Sequence, residues 1–197
     1  FPIVLGGLIL QEIIAGKNWR NLIVLALLAV FTVANAIFHF EASRGGYAAQ
    51  GYGLRLGLAT AVMMIAVIGG RIIPSFTRNW LAKTDNAVRP APPMQPFDKA
   101  TLLLSIAALA MWVTSPTSKM TAVGLMIFGL LHAVRMLRWQ GHHTLSDPLV
   151  WVLHVSYLFI PIGALTMSAD VFMRGDSFAA GQHIWMAGAI GSMTLAV

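Results

Sequence analysis

Four histidines lie within apolar stretches of this chain, where polar side chains are costly and therefore often functional. His132 lies about six residues before one apolar segment ends and His154 about six residues after the next begins, so both fall about 9 Å below the same surface. His39 and His183 lie near the opposite surface in their own segments. We therefore expect an inner pair, His132 with His154, and an outer pair, His39 with His183.

The inner pair has the arrangement that a six-coordinate haem requires. Such a haem takes one imidazole on each axial face, apolar side chains over the macrocycle and cations near the propionates. Arg71 and Arg135 are expected near the surface that the inner pair approaches. The spacing thus predicts a haem site built from His132, His154, Arg71 and Arg135. The alternative is that each histidine only hydrogen-bonds a neighbouring polar group.

The outer pair is better suited to copper. Met186 follows His183 by three residues, about one helical turn, and a soft thioether together with imidazole suits copper. We therefore predict a metal site at His39 and His183. His142 and His143 lie in a polar connector and are expected to be solvated, with surface metal ligation as the alternative.

The composition identifies an integral membrane chain. Of its 197 residues, 57% are hydrophobic and 10% charged, with a mean hydropathy of +0.74, whereas soluble domains contain roughly 25% charged residues. The absence of cysteine excludes disulfides and thiolate metal sites from this sequence. The net charge of +6 is spread over connectors between apolar runs, so nucleic-acid binding is not expected.

The apolar runs predict an all-α bundle of about seven spans, since a span needs about 20 residues and open sheet edges cannot be satisfied in lipid. A proline that follows Gly69-Gly70-Arg71 is expected to end the third helix. Nine of the thirteen Lys and Arg residues lie in or beside the loops after the first, third and fifth spans, which should therefore be cytoplasmic. Five predicted spans are full, 19–41, 53–73, 98–114, 118–138 and 148–168, and two are truncated or short, 1–15 and 180–197.

These spans fall into two groups. Residues 1–80 are predicted to form a first helical group of three spans, and residues 98–197 a second group of four. Between them, residues 81–97 are rich in proline, which favours an extended cytoplasmic linker. The GxxxG spacing of Gly53 and Gly57 predicts close helix packing.

Helical periodicity places polar residues on common faces that should turn toward other helices. The second span carries Thr32, Asn35 and His39 at spacings of three and four. The fifth and sixth spans carry two further sets: Phe128, His132, Arg135 and Trp139, and His154, Tyr157 and Pro161.

Several motifs of the chain, in matching order, resemble the NnrS family of bacterial membrane proteins. These motifs are Asn18-Trp19-Arg20-Asn21, Phe38-His39, Gly69-Gly70-Arg71-Ile72-Ile73-Pro74-Ser75-Phe76-Thr77-Arg78-Asn79, Leu131-His132-Ala133-Val134-Arg135, Pro148-Leu149-Val150-Trp151-Val152-Leu153-His154 and the segment from His183 to Val197. His39, His132, His154, His183 and Arg71 occupy positions that match the family pattern.

The resemblance implies a multi-pass protein of the bacterial inner membrane that contains haem b and copper and is linked to nitric oxide metabolism and nitrosative stress. This chain then corresponds to an internal part of a longer protein. Its expected partners are membrane lipid, nitric oxide and an electron donor. No catalytic motif is visible in the sequence, so haem or copper would carry any redox chemistry.

Two other functions remain open at this point. In the first, the histidines and Arg71 line a polar pathway through a cofactor-free, transporter-like bundle for a small anion. In the second, the chain is a cytochrome-b-like subunit that passes electrons to a partner.

Overall fold

The computed structural model describes residues 1–84, 87–173 and 179–197. All regular elements in these ranges are helical, which confirms the all-α prediction. A π-helix, Ile184–Gly191, and three short 3-10 turns, Trp19–Asn21, Ala48–Gln50 and Gly141–Thr144, accompany the α-helices. The α-helices are α1 (Pro2–Ala15), α2 (Leu22–Ser43), α3 (Tyr52–Lys83), α4 (Pro96–Thr114), α5 (Lys119–Leu137), α6 (Pro148–Phe172), α7 (Ala179–His183) and α8 (Ser192–Ala196).

Within the described residues, five helical segments are long and apolar enough to cross a membrane: Trp19–Ser43, Tyr52–Lys83, Pro96–Thr114, Lys119–Leu137 and Pro148–Phe172. Helix α1 has 14 residues. It is a shorter apolar helix and is not among these five segments. The predicted last span, 180–197, is divided among α7, the π-helix and α8. The expectation of about seven spans is therefore not confirmed.

The chain divides into two compact units, Phe1–Met64 and Ile65–Val197, and the boundary falls inside α3. The predicted groups, 1–80 and 98–197 with a linker at 81–97, therefore stay a prediction. Part of that linker, Asp85 and Asn86, lies outside the described residues. Arg174, one of the four Lys and Arg residues not assigned to the predicted cytoplasmic loops, also lies outside the described residues.

In the first unit, α2 packs closely against the start of α3. An added Cβ at Gly53 would overlap the backbone of Phe38, and one at Gly57 would lie 3.7 Å from the Cβ of Ala34. The small residues of the GxxxG motif therefore allow the contact, as predicted. Glu41 caps the start of α3, since its carboxylate accepts hydrogen bonds from the first backbone N–H groups of that helix.

Pro74 lies inside α3, and the prediction that the helix ends there is wrong. Proline lacks the N–H group that would bond to the carbonyl of Gly70. Beside this interruption, the hydroxyls of Ser75 and Thr77 each donate to the carbonyl four residues earlier, at 2.6 Å and 2.8 Å. Such hydroxyl bonds help a membrane helix to tolerate proline. The helix therefore continues to Lys83 and carries Thr77 into the core of the second unit.

In the second unit, the end of α3 contacts α5 and α6, and the segment after residue 87 is hydrogen-bonded to α3 and to the end of α5. The backbone N–H of Ala91 donates to the carbonyl of Arg138 at 3.1 Å. The guanidinium of Arg78 donates to the carbonyl of Pro90, also at 3.1 Å. Gln95 then forms a reciprocal capping box with Asp98 at the start of α4. This cap places a carboxylate at the edge of the helical core.

Candidate functional site

The inward face of α5 is the centre of the candidate site. Phe128, His132, Arg135 and Trp139 are all buried, which confirms that they share a face. His154, Tyr157 and Pro161 are likewise buried on α6. A hydrogen-bonded set links α4, α5 and α6, and we call it the buried polar network. Its members are Asp98, Ser105, His132, Arg135 and Tyr157.

Arg135 is neutralised within the protein. Its Nε donates to Oδ1 of Asp98 at 2.7 Å, and both side chains are almost completely excluded from solvent. Its Nη1 donates to the carbonyl of Ala66 at 2.8 Å and to the hydroxyl of Tyr157 at 3.0 Å. The other carboxylate oxygen of Asp98 accepts from the backbone N–H of Gln95, which holds it at the helix start. A buried charge is tolerated when it is paired and hydrogen-bonded in this way.

The glycine pair of α3 makes room for this guanidinium. An added Cβ at Gly70 would overlap the guanidinium of Arg135, chiefly at Nη2. An added Cβ at Gly69 would lie 3.4 Å from the ring of Tyr157, an ordinary van der Waals distance. The ring of Trp139 lies 5.3 Å from the guanidinium carbon and adds a cation–π contact. Gly70 is therefore required by the packing of Arg135.

His132 is hydrogen-bonded at both ring nitrogens. Nε2 lies 2.9 Å from the hydroxyl of Ser105, which already donates its proton to the carbonyl of Thr101. Because a hydroxyl has one proton, Nε2 must be the donor in this contact. Nδ1 then accepts from the hydroxyl of Tyr157 at 2.7 Å. His132 is therefore a neutral imidazole with no lone pair left for another ligand, and we describe it as closed.

His154 differs from His132 at Nδ1. Its Nε2 lies 2.8 Å from the hydroxyl of Thr77, whose proton goes to the carbonyl of Ile73. Nε2 is therefore again the donor, and Nδ1 carries a lone pair. This nitrogen has no hydrogen-bond partner among the described residues. His154 is therefore a buried, neutral imidazole with one open ligand position, and we describe it as open.

The predicted outer residues, His39 and His183, lie in different units. His39 lies on α2 in the first unit and is exposed, as is Asn35, and the prediction that this polar face meets other helices stays a prediction. His183 lies at the end of α7 in the second unit, with Nδ1 2.7 Å from the carbonyl of Ala179. Their pairing in a metal site stays a prediction. Arg71 is half-buried on α3, and its predicted contact with a haem also stays a prediction.

The arrangement does not fit a haem held between His132 and His154. An axial ligand needs a free ring lone pair and space for the macrocycle beside the ring. His132 has neither, because both nitrogens are bonded and the side chain is completely buried, with the ring of Phe128 centred 4.4 Å away. Arg135 is held by Asp98 and Tyr157, so it is not placed to meet a propionate. Haem b therefore stays a prediction of the family resemblance, without a supporting site in this pair.

Copper fits His154 better. Imidazole is a good ligand for copper, and Nδ1 of His154 is open without any rearrangement of the buried polar network. Within the described residues, no group of three or more His, Cys, Asp or Glu side chains is arranged to hold a metal ion. A copper site at His154 would therefore need a donor of another type, or would use few ligands.

Four polar partners of the site, Asp98, Ser105, Thr77 and Tyr157, were not among the predicted site residues. Asp98 could have been found from its position three residues after Gln95 at the start of an apolar segment, which is the spacing of a capping box. Ser105 and Thr77 gave no comparable signal, since hydroxyls in membrane helices most often bond to their own backbone. Tyr157 was placed on the correct face without a role.

Comparison with known proteins agrees with this membrane architecture. A family model described as NnrS protein matches residues 1–197, the whole chain. No curated protein and no solved structure gives a significant match. The match covers the closed His132, the open His154 and the glycine pair of α3, and family membership supports a nitric-oxide-related, multi-pass membrane protein. The chain belongs to the NnrS family.

Proposed function

We propose that this chain belongs to a copper-dependent protein of the bacterial inner membrane that limits damage by nitric oxide. The open Nδ1 of His154, inside a membrane-spanning helix, is the observation that carries the copper part of the proposal. The family match supports the link to nitric oxide. Bound copper would supply redox chemistry or a binding position for nitric oxide, which none of the protein side chains supplies by itself.

The chain's own residues have three roles in this proposal. His154 provides a ligand atom, and Thr77 fixes the orientation and tautomer of its ring through the other nitrogen. The buried polar network holds α4, α5 and α6 in register around this position without itself binding the metal. The apolar outer faces of the five long helices keep the site within the bilayer. An electron donor remains a predicted partner.

The alternative functions receive less support from these contacts. In the anion-pathway alternative the histidines and Arg71 line a polar pathway, but His132 is completely buried with both ring nitrogens hydrogen-bonded. A cytochrome-b-like subunit would need two axial imidazoles, and His132 is closed. Neither alternative has a specific observation in its favour.

A cellular experiment tests the proposed function. Cells that lack the protein are expected to grow more slowly than wild-type cells when a nitric oxide donor is added, and the wild-type gene should restore growth. The His154→Gln variant should fail to restore it, since it removes the open lone pair while its amide can still donate to Thr77. Lys99→Ala, at an exposed position next to the buried Asp98, is the matched control and should restore growth.

The comparison is made at equal protein levels in the membrane. Equal growth of deleted and wild-type cells under nitric oxide would contradict the proposed function. Full restoration by His154→Gln would contradict the role of His154 in it.

A further inference from the structure

A cavity of about 330 Å³ in the second unit is lined by residues with metal-binding side chains from three successive elements. Met136 comes from the last turn of α5, His142 from the 3-10 turn and His154 from α6, and all three line the cavity. We propose that these three residues bind a single Cu(I) ion. This proposal rests on the proposed function and deepens it, because it identifies the ligands of the copper.

The donor at His154 is already in the required form. Its Nε2–H is used by Thr77, so Nδ1 needs no deprotonation before it binds a metal. Gly141 packs on the ring: an added Cβ there would be 2.5 Å, 2.6 Å and 2.7 Å from Nδ1, Cγ and Cε1. Three nearly equal distances place this backbone over the ring face. The lone pair of Nδ1 lies in the ring plane and is therefore not the part that Gly141 covers.

The second imidazole is held near the cavity by a well-bonded turn. Gln140 adopts a left-handed conformation, with φ of 57°, and redirects the chain as α5 ends. The hydroxyl of Thr144 then donates to the carbonyl of Gly141 at 2.7 Å and closes the turn. His142 is exposed on this turn, so its ring can take up a metal without leaving a packed core. His142 was expected to be solvated, with surface metal ligation as the alternative, and the proposal takes up that alternative.

The donor set selects the metal. Two imidazoles and the thioether of Met136 are borderline and soft ligands, which suit Cu(I). Among the described residues, those that line the cavity include no carboxylate, and Ca²⁺ and Mg²⁺ require oxygen ligands. A structural Zn²⁺ site normally has four ligands. Cu(I) accepts two or three ligands, as this cavity provides.

The test is anaerobic titration of the full-length protein, purified in detergent, with Cu(I) against a coloured Cu(I) chelator. One tight site per chain is expected for the wild type. His142→Ala and His154→Gln should each weaken Cu(I) binding by at least about tenfold, and Met136→Leu by a smaller factor. His143→Ala is the matched control, because His143 is adjacent in the same turn but does not line the cavity. X-ray absorption of the loaded protein should show nitrogen and sulfur ligands.

The outcomes separate the ligand assignment from the proposed function. Unchanged Cu(I) affinity in both His142→Ala and His154→Gln would overturn the three-residue site, even if the wild type binds copper. Absence of Cu(I) binding by the wild type would overturn the copper dependence as well. Thermal unfolding of each variant identifies losses that arise from misfolding. Because His142 is exposed, His142→Ala decides the assignment if His154→Gln is unstable.

Discussion

Replacing Asp98 with Asn is expected to lower the free energy of unfolding by about 3 kcal/mol, since it leaves the buried guanidinium of Arg135 without a counter-ion. Asp98 accepts from the Gln95 backbone at one oxygen and from Arg135 at the other, and Asn keeps only one acceptor oxygen, so the variant loses the charge and one of these two hydrogen bonds. Thermal or denaturant-induced unfolding of the purified protein measures the change. Because both side chains are buried, added salt should change this loss of stability only weakly.

Two comparison variants isolate the ion pair. Lys99→Ala alters the neighbouring exposed residue and should change stability by no more than about 0.5 kcal/mol. The double variant, Asp98→Asn with Arg135→Met, removes both charges and should be more stable than Asp98→Asn alone. If Asp98→Asn and Lys99→Ala have the same stability, the buried ion pair does not hold the core together.

The second large effect is expected within the glycine pair of α3. Gly70→Ala should destabilise the protein by about 2–3 kcal/mol, because the new methyl group overlaps the guanidinium of Arg135, whose bonds to Asp98, Tyr157 and Ala66 leave it little freedom to move. Unfolding of the purified variant gives the magnitude.

Gly69→Ala is the matched control because it makes the same chemical change one residue earlier. Its new methyl group would meet Tyr157 at 3.4 Å, a normal contact. Alanine also favours helix over glycine, so Gly69→Ala should be neutral or stabilising by up to about 1 kcal/mol. Equal effects of the two substitutions would show that the contact between Gly70 and Arg135 is absent.

Helical periodicity in the sequence was enough to predict the inward faces of α5 and α6. Periodicity depends only on the rise and turn of a helix, so it placed Phe128, His132, Arg135 and Trp139 together. On α2 it also placed Asn35 and His39 on one face, and both side chains are exposed. A polar stripe indicates which residues share a face, but what packs against that face depends on the tertiary structure.

The partners of each buried group could not be predicted, for a physical reason. The depth of His132 and His154 in their helices suggested two equivalent ligands of one cofactor. Their actual difference depends on Ser105 and Tyr157, which occupy both nitrogens of His132, and on Thr77, which occupies only one nitrogen of His154. These partners come from three other positions along the chain. Sequence spacing within one helix contains no information about such contacts.

The position where α3 ends and the partner of Arg135 also depend on contacts that sequence spacing does not predict. Pro74 was expected to end the helix, but neighbouring hydroxyls supply bonds to carbonyls beside the interruption. Arg135 was expected to meet a propionate near the membrane surface, but Asp98, brought in by the cap of α4, neutralises it. In both cases the sequence correctly indicated an unfavourable feature, the missing N–H group of Pro74 or the charge of Arg135. It did not indicate which neighbouring group compensates for that feature.

The contrast between a closed His132 and an open His154 suggests separate roles for the two residues. His132 stabilises the contacts among α4, α5 and α6, and His154 is available to a ligand. The two histidines are therefore not interchangeable, although they lie on adjacent helices, α5 and α6, and both belong to motifs that match the family. The proposed copper site and the proposed protective function both depend on this difference at a single nitrogen atom.

Nitrogen-15 NMR of the metal-free protein, labelled at histidine and purified in detergent, measures this difference directly. The signals of His132 and His154 can be assigned from their absence in His132→Gln and His154→Gln. Both residues are predicted to be neutral with the proton on Nε2, and Nδ1 of His154 should have the shift of a bare lone pair while Nδ1 of His132 shows a hydrogen bond. Addition of Cu(I) should shift Nδ1 of His154 and the ring signals of His142, and should leave the signals of His132 unchanged. A proton on Nδ1 of His154, or a copper-dependent shift at His132, would contradict the assignment.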